Sequence, residues 1–197
     1  MNANPSPRIK HIDPATATGV QKDIIGHLTA QYGYLPGISR LLLVDPEVHT
    51  HVGALYRYLQ LRPGSPLTRR QREMLATVVN GLAGGAAGLG LHTEAMRRLT
   101  VDERLGADFT TTWRTHDLDA RTRALLEYAE KLTKAPGRIE AADIEALRAA
   151  SWDADGVYEA TLLVALFNFS GRMEAAAGLP MDQVPASARP PEAIPDA

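Results

Sequence analysis

Apolar residues recur every three or four positions along most of this chain and almost nowhere alternate with polar ones. From Gly19 onward, Val20, Ile24, Leu28 and Tyr32 fall four apart, the spacing of one helix face. GYLPGISRLLL predicts a break at Pro36 followed by a short helix, because proline removes a backbone donor and turns the preceding residue away from helix. Asp45-Pro46 reads as an N-cap with proline at the first helical position. Behind it, Val48, Val52, Leu55, Tyr56 and Leu59 are predicted to line one face, and RPGSP, Arg62 to Pro66, ends that helix. Thr68 and Gln71 predict a capping box ahead of a helix striped by Leu75, Val78, Val79 and Leu82.

The pattern continues to the C-terminal region. A helix is expected to end near Leu99, and Thr100 with Glu103 forms a second capping box that would open a helix through Phe109. Further helices are predicted over 119–133, 140–150 and 153–177. The last is apolar nearly all round its centre, which places it in the core or in a subunit interface. No run alternates as a strand would, and Asn80-Gly81 lies in helical context. The expectation is an all-α fold of about eight or nine helices. One domain would span 19–181, preceded by an arm over 1–18 that carries Pro5, Pro7 and Pro14. A Pro-rich tail over 182–197 would be disordered or laid over a neighbouring subunit.

Composition narrows the function classes. A chain of 197 residues with 45% apolar and 22% charged residues can bury a core without staples. The net charge of −2, with no run of like charges, argues against nucleic acid or an anionic membrane as a partner. No apolar stretch is long enough to span a bilayer, and the first residues lack the apolar region of a secretory signal, so a cytoplasmic location is expected. Cysteine is absent, which excludes disulfides, thiolate nucleophiles and Cys-ligated metals. His49 and His51 lie two apart, on nearly opposite sides of a regular helix, and are read as surface or interface residues rather than a chelating pair. Neither a metal nor a cofactor is expected. Tyr56 and Phe167 are read as packing residues, Asn168 as bonded to backbone or another subunit, and Arg172 as paired with a carboxylate.

The segment NGLAGGAAGLGLHTEAM, Asn80 to Met96, holds five glycines between two helical runs. Glycine in a helix interior costs roughly 1 kcal/mol relative to alanine, so the dilution needs a reason. A phosphate cradle is poorly supported, because no glycine-rich nucleotide motif occurs and no strand precedes the segment. Close helix packing over Gly81, Gly85 and Gly88 is a second reading. The third comes from spacing. In a helix over 85–98, Gly85, Gly88 and His92 share one face, which would leave a small hollow beside a titratable imidazole.

Glu73, followed by eleven residues to Gly85, then Gly88 and His92, resembles the signature of the alkylhydroperoxidase-D-like (carboxymuconolactone decarboxylase) superfamily. In that signature a glutamate precedes a Cys-x-x-Cys pair and a histidine, and the two cysteines fall on Gly85 and Gly88. GYLPGISRLLLVDPEV, SPLTRRQREMLATVV, LLEYAEKLT and LFNFSGRMEAAAGLP are similar to the peroxidase-related branch of that superfamily. The resemblance implies an all-helical homo-oligomer (dimer, trimer or hexamer) with its site near subunit contacts. The chain departs from the branch pattern at Asn80, Ala83 and Leu91, where serine, asparagine and a second histidine are common.

In redox members one cysteine attacks a peroxide as thiolate and the other resolves the sulfenate. Glycine can do neither, so dithiol peroxidase activity is expected to be absent despite the oxidoreductase ancestry. Glu73 and His92 remain as an acid–base pair, the carboxylate orienting the imidazole. By analogy with the decarboxylase branch, the resemblance implies decarboxylase- or isomerase-like proton transfer on a small molecule. The alternative is a non-catalytic pseudoenzyme kept for ligand binding or assembly.

Overall fold

The structure, a computed structural model, describes residues 7–100 and 105–188. Among the described residues there are nine α-helices and no strand, as the apolar spacing predicts. They are α1 (Gly19–Tyr32), α2 (Gly37–Leu42), α3 (Pro46–Tyr56), α4 (Arg69–Ala83), α5 (Ala86–Thr100), α6 (Phe109–Thr112), α7 (Ala120–Lys134), α8 (Ala141–Ala149) and α9 (Ala154–Ala177). None of them is long and apolar enough to cross a membrane.

Helix α4 is the axis of the molecule. It is buried at every position from Gln71 to Asn80 and packs against α5, α6, α7 and α9. Leu75, Val78 and Val79 meet Met96, Phe109, Trp113, Leu125 and Leu163 in one continuous core. The capping box forms as predicted, with Thr68 accepting from the Gln71 N–H and Gln71 reaching back to the Thr68 N–H. Burial all round α4 forces its polar side chains to find partners inside the protein. Gln71 donates to Thr122 at 3.0 Å, Arg72 to the Leu59 and Arg62 carbonyls, and Thr77 to the Glu73 carbonyl.

Four segments differ from expectation. The helix begun by Asp45-Pro46 passes at Tyr56 into a π-helical turn, Arg57–Leu61, which buries Leu59, Gln60 and Leu61 while Val48 and Leu55 stay exposed. The extra residue per turn rotates the face, so the predicted stripe is split. Helix α5 runs through Thr100, residues 105–108 are not helical, and Phe109 opens α6 rather than closing a helix. Glu103 of the second capping box lies outside the described residues. Residues 182–188 lie over their own chain: both Asp182 carboxylate oxygens accept from the Gly37 N–H, and Arg98 donates to the Ala188 and Pro185 carbonyls. Backbone amides inside the N-terminal arm also bond to the domain, Arg8 to Ala177 and Ile12 to Arg40. The rest of the arm and tail, residues 1–6 and 189–197, lies outside the described residues.

Asn168 donates to the Val164 carbonyl and to Thr133, and Arg172 turns to the Asn168 side chain rather than to a carboxylate. Helix α1 buries none of its residues.

Candidate functional site

Glu73 sits on α4 one turn after Arg69, and His92 sits on α5 one turn after Gly88. Antiparallel packing of α4 and α5 across the glycine turn brings the two side chains together. His92 Nδ1 lies 2.6 Å from Glu73 Oε2, with Glu73 fully buried and His92 3% exposed. Arg69 donates from Nε at 2.8 Å and from Nη2 at 2.5 Å to Glu73 Oε1. Burial alone would raise the Glu73 carboxyl, but the charge and hydrogen bond of His92 and the Arg69 guanidinium outweigh it and hold the carboxyl below its usual value. An ionised carboxylate can only accept, so the proton between the two residues sits on Nδ1. Nε2 is therefore the basic nitrogen of the imidazole.

Glu73 faces the protein interior, whereas His92 lines a cavity of about 150 Å³. The cavity is lined from α1, α2, α3, α4, α5 and α9. Tyr32, Tyr34, Leu42, Val52, Tyr56 and Phe167 make its lining mostly apolar and aromatic. The Phe167 ring meets the imidazole edge-on at 4.8 Å between centroids, and Tyr56 stands 6.2 Å away. Burial, helped by the Glu73 charge, pushes the Tyr56 hydroxyl well above the usual phenol range, so it remains a donor. The Tyr34 hydroxyl and Asn80 Oδ1 are buried in this wall without a protein partner.

The hollow expected beside Gly85 and Gly88 is filled. Gly84 closes α4 in the left-handed region at φ 80°, and α5 begins at Ala86, so Gly85 belongs to the turn. A Cβ on Gly85 would lie 2.6 Å from the Gly171 Cα and 3.0 Å from Glu174 Oε2. One on Gly88 would lie 2.6 Å from Asn80 Oδ1. Three side-chain-poor positions, on α4–α5 and α9, thus allow close backbone approach, and Asn80 and Glu174 occupy what volume remains. The packing reading of the glycines holds at this spot, and the usable space is the adjoining cavity, which Gly88, Asn80, His92 and Glu174 all line.

Sequence reasoning brought Glu73 and His92 together and missed several neighbours. Tyr56 and Phe167 line the cavity rather than only packing, and His49, read as a surface or interface residue, lines it from α3. Glu174 was passed over altogether. It is 1% exposed, its Oε2 accepts from the Gly88 N–H at 2.9 Å, and it lines the same cavity as His92. Its signal was a lone carboxylate in RMEAAAGLP, at the end of a helix apolar nearly all round.

No protein-family model matches the sequence, and no curated protein matches it. Solved structures do. A peroxidase-related protein from Silicibacter sp. TM1040 superposes with a TM-score of 0.77 at 27% identity, over 88% of this chain and 92% of that one. A structure described as an alkylhydroperoxidase AhpD core, a peroxidase-related protein from Ralstonia eutropha JMP134, gives 0.76 at 25% identity, over 92% and 95%. The debrominase Bmp8, solved in complex with 2,3,4-tribromopyrrole, gives 0.69 at 16% identity, over 93% and 95%, and shares the fold alone.

Proposed function

We propose that this chain, AhpD-like in fold and without cysteine, uses Glu73 and His92 for acid–base chemistry on a small uncharged molecule held in the cavity. The observation that carries the reading is the 2.6 Å contact that ties Nδ1 to Glu73 and leaves Nε2 for a ligand. A buried carboxylate that fixes the tautomer and stabilises a developing imidazolium is the arrangement a general base needs. The mostly apolar lining favours a ring-sized neutral compound over a charged one. With no thiol on the chain, dithiol peroxidase chemistry has no nucleophile. The reaction class is proton transfer, isomerase- or decarboxylase-like.

Two further features support a homo-oligomer. Helix α1 is left with no buried residue, and Val20 on it is 61% exposed. A second copy would cover that face and close the α1 wall of the cavity. A non-catalytic binding or assembly role is the second reading, favoured by the filled space at Gly85 and Gly88.

The two readings separate in one experiment. Wild-type protein and His92→Gln are incubated in D2O with small ketones and lactones, and deuterium uptake or turnover is followed by NMR. Uptake that disappears in the variant supports proton transfer. Uptake that is equal in the two proteins, or absent from the wild type, leaves the binding role.

A further inference from the structure

Helix α9 presents Phe167, Gly171 and Glu174 along one side. Phe167 meets the His92 ring, Gly171 approaches Gly85, and Glu174 reaches the first turn of α5. The Glu174 carboxyl bonds the Gly88 and Ala87 amides, one turn before His92. Along α5, Gly88 and His92 lie about one pitch, ~5.4 Å, apart. Glu174 and His92 both line the same cavity.

What surrounds Glu174 matters as much as where it sits. Among the described residues no cation forms a salt bridge with it. The charge that acts on it is Asp182, on the segment after α9 and of the same sign, while Arg57, Glu94 and Arg98 also line the cavity. From α5 it meets the Gly88 amide, and the uncharged Asn80 of α4 flanks the same point beside Gly85. Burial dominates, Asp182 adds to it, and the two amides only partly compensate, so the carboxyl is raised to about 7. Beside it Asn80 Oδ1, fully buried and lining the cavity, is an acceptor with no partner.

We infer that Glu174 is a second proton-carrying catalytic residue of this cavity, and that its substrate is a small uncharged carbonyl compound with a proton on the carbon next to the carbonyl. This rests on the role proposed above for His92. The neutral Glu174 carboxyl keeps one oxygen on the α5 amides and gives its proton to the carbonyl oxygen. His92 Nε2 takes the proton from the adjacent carbon, and the C–H electron pair becomes the carbon–carbon double bond of an enol. In the return step the imidazolium protonates carbon, and the Glu174 carboxylate recovers the enol proton. Each proton is accounted for, and no oxidant or reductant enters. A buried carboxyl kept neutral can donate a proton to a developing enol oxygen, the acid half of such a pair.

The test uses the full chain and two readouts. Difference infrared spectra in H2O and D2O should show a buried carboxylic acid C=O stretch that titrates near neutral pH, present in wild type and His92→Gln and lost in Glu174→Gln. Deuterium exchange into cyclohexanone, followed by NMR, should be abolished in His92→Gln and reduced roughly a hundred-fold or more in Glu174→Gln. The Glu174 amide variant retains an oxygen for the Gly88 N–H. The wild-type titration needs no variant and stands even if Glu174→Gln misfolds. Absence of the acid band, or exchange unchanged in a folded Glu174→Gln while His92→Gln is dead, overturns the Glu174 inference and leaves the His92 reading intact. Exchange unchanged in His92→Gln, or absent from wild type, overturns both.

Discussion

Gly85 and Gly171 approach so closely that a single methyl on the first would stand 2.6 Å from the Cα of the second. The contact is backbone against backbone, so neither side can yield by turning a side chain. Gly85→Ala is expected to destabilise the protein by about 1–3 kcal/mol, the range for overpacking a filled core. Urea denaturation measures it, and a midpoint equal to wild type would show that the α5–α9 approach is looser than described.

Gly88 behaves differently because its obstacle is the Asn80 side chain. Gly88→Ala should be rescued in part by Asn80→Ala, which removes the amide from that space. The double-mutant cycle is expected to give a coupling of about 0.5–3 kcal/mol. Strict additivity would contradict it. Gly85→Cys combined with Gly88→Cys should disrupt packing and yield no peroxidase, since the volume belongs to Gly171, Asn80 and Glu174.

Glu73→Gln keeps the shape of the side chain and removes its charge between Arg69 and His92. Removing one member of a buried ion pair costs about 3–5 kcal/mol, and the lower part of that range is expected for an isosteric change. The carboxyl is held below its ordinary value in the folded state, so its contribution is present above the unfolded pKa and is lost as pH falls. Thermal melts across pH should therefore show an acid limb in wild type that is weaker in the variant. Identical limbs would mean that Glu73 does not carry it.

Glu174 and Asp182 act in the opposite direction. Burial raises them to about 7 and about 6 in the folded protein, with Asp182 adding to the rise at Glu174. A raised carboxyl binds protons more tightly folded than unfolded, so its stabilising effect is lost as pH climbs through those values. For Glu174, a rise from 4.5 to about 7 corresponds to about 3 kcal/mol. Glu174→Gln should flatten the decline in stability between pH 5 and 8 (about the window of these shifts) and be relatively more stable at its alkaline end. A Tm that rises with pH there in wild type would refute this.

The bare face of α1 predicts association. Val20→Asp touches nothing within the chain's core, where Val20 is 61% exposed, so the monomer fold should survive. Sedimentation should show a smaller species than wild type. If wild type is itself a monomer, the homo-oligomer proposal fails.

The sequence by itself determined the helical architecture. Four-residue apolar spacing, the Thr68–Gln71 box and the Asp45-Pro46 cap are local signals, and the helices they announce begin where the residues say they should. It also determined that thiol chemistry is impossible, since the absence of cysteine alone decides that. The contact between Glu73 and His92 was legible only through a resemblance, because they lie 19 positions apart across a glycine turn. Tertiary structure decided where the space beside His92 lies. Helix α9, distant in sequence, fills the room at Gly85 with Gly171 and brings Glu174 into the cavity wall, to which α3 adds Tyr56 and His49. It also decided the protonation of Glu174, because burial is a property of everything packed around a carboxyl and no neighbouring residue in the chain encodes it.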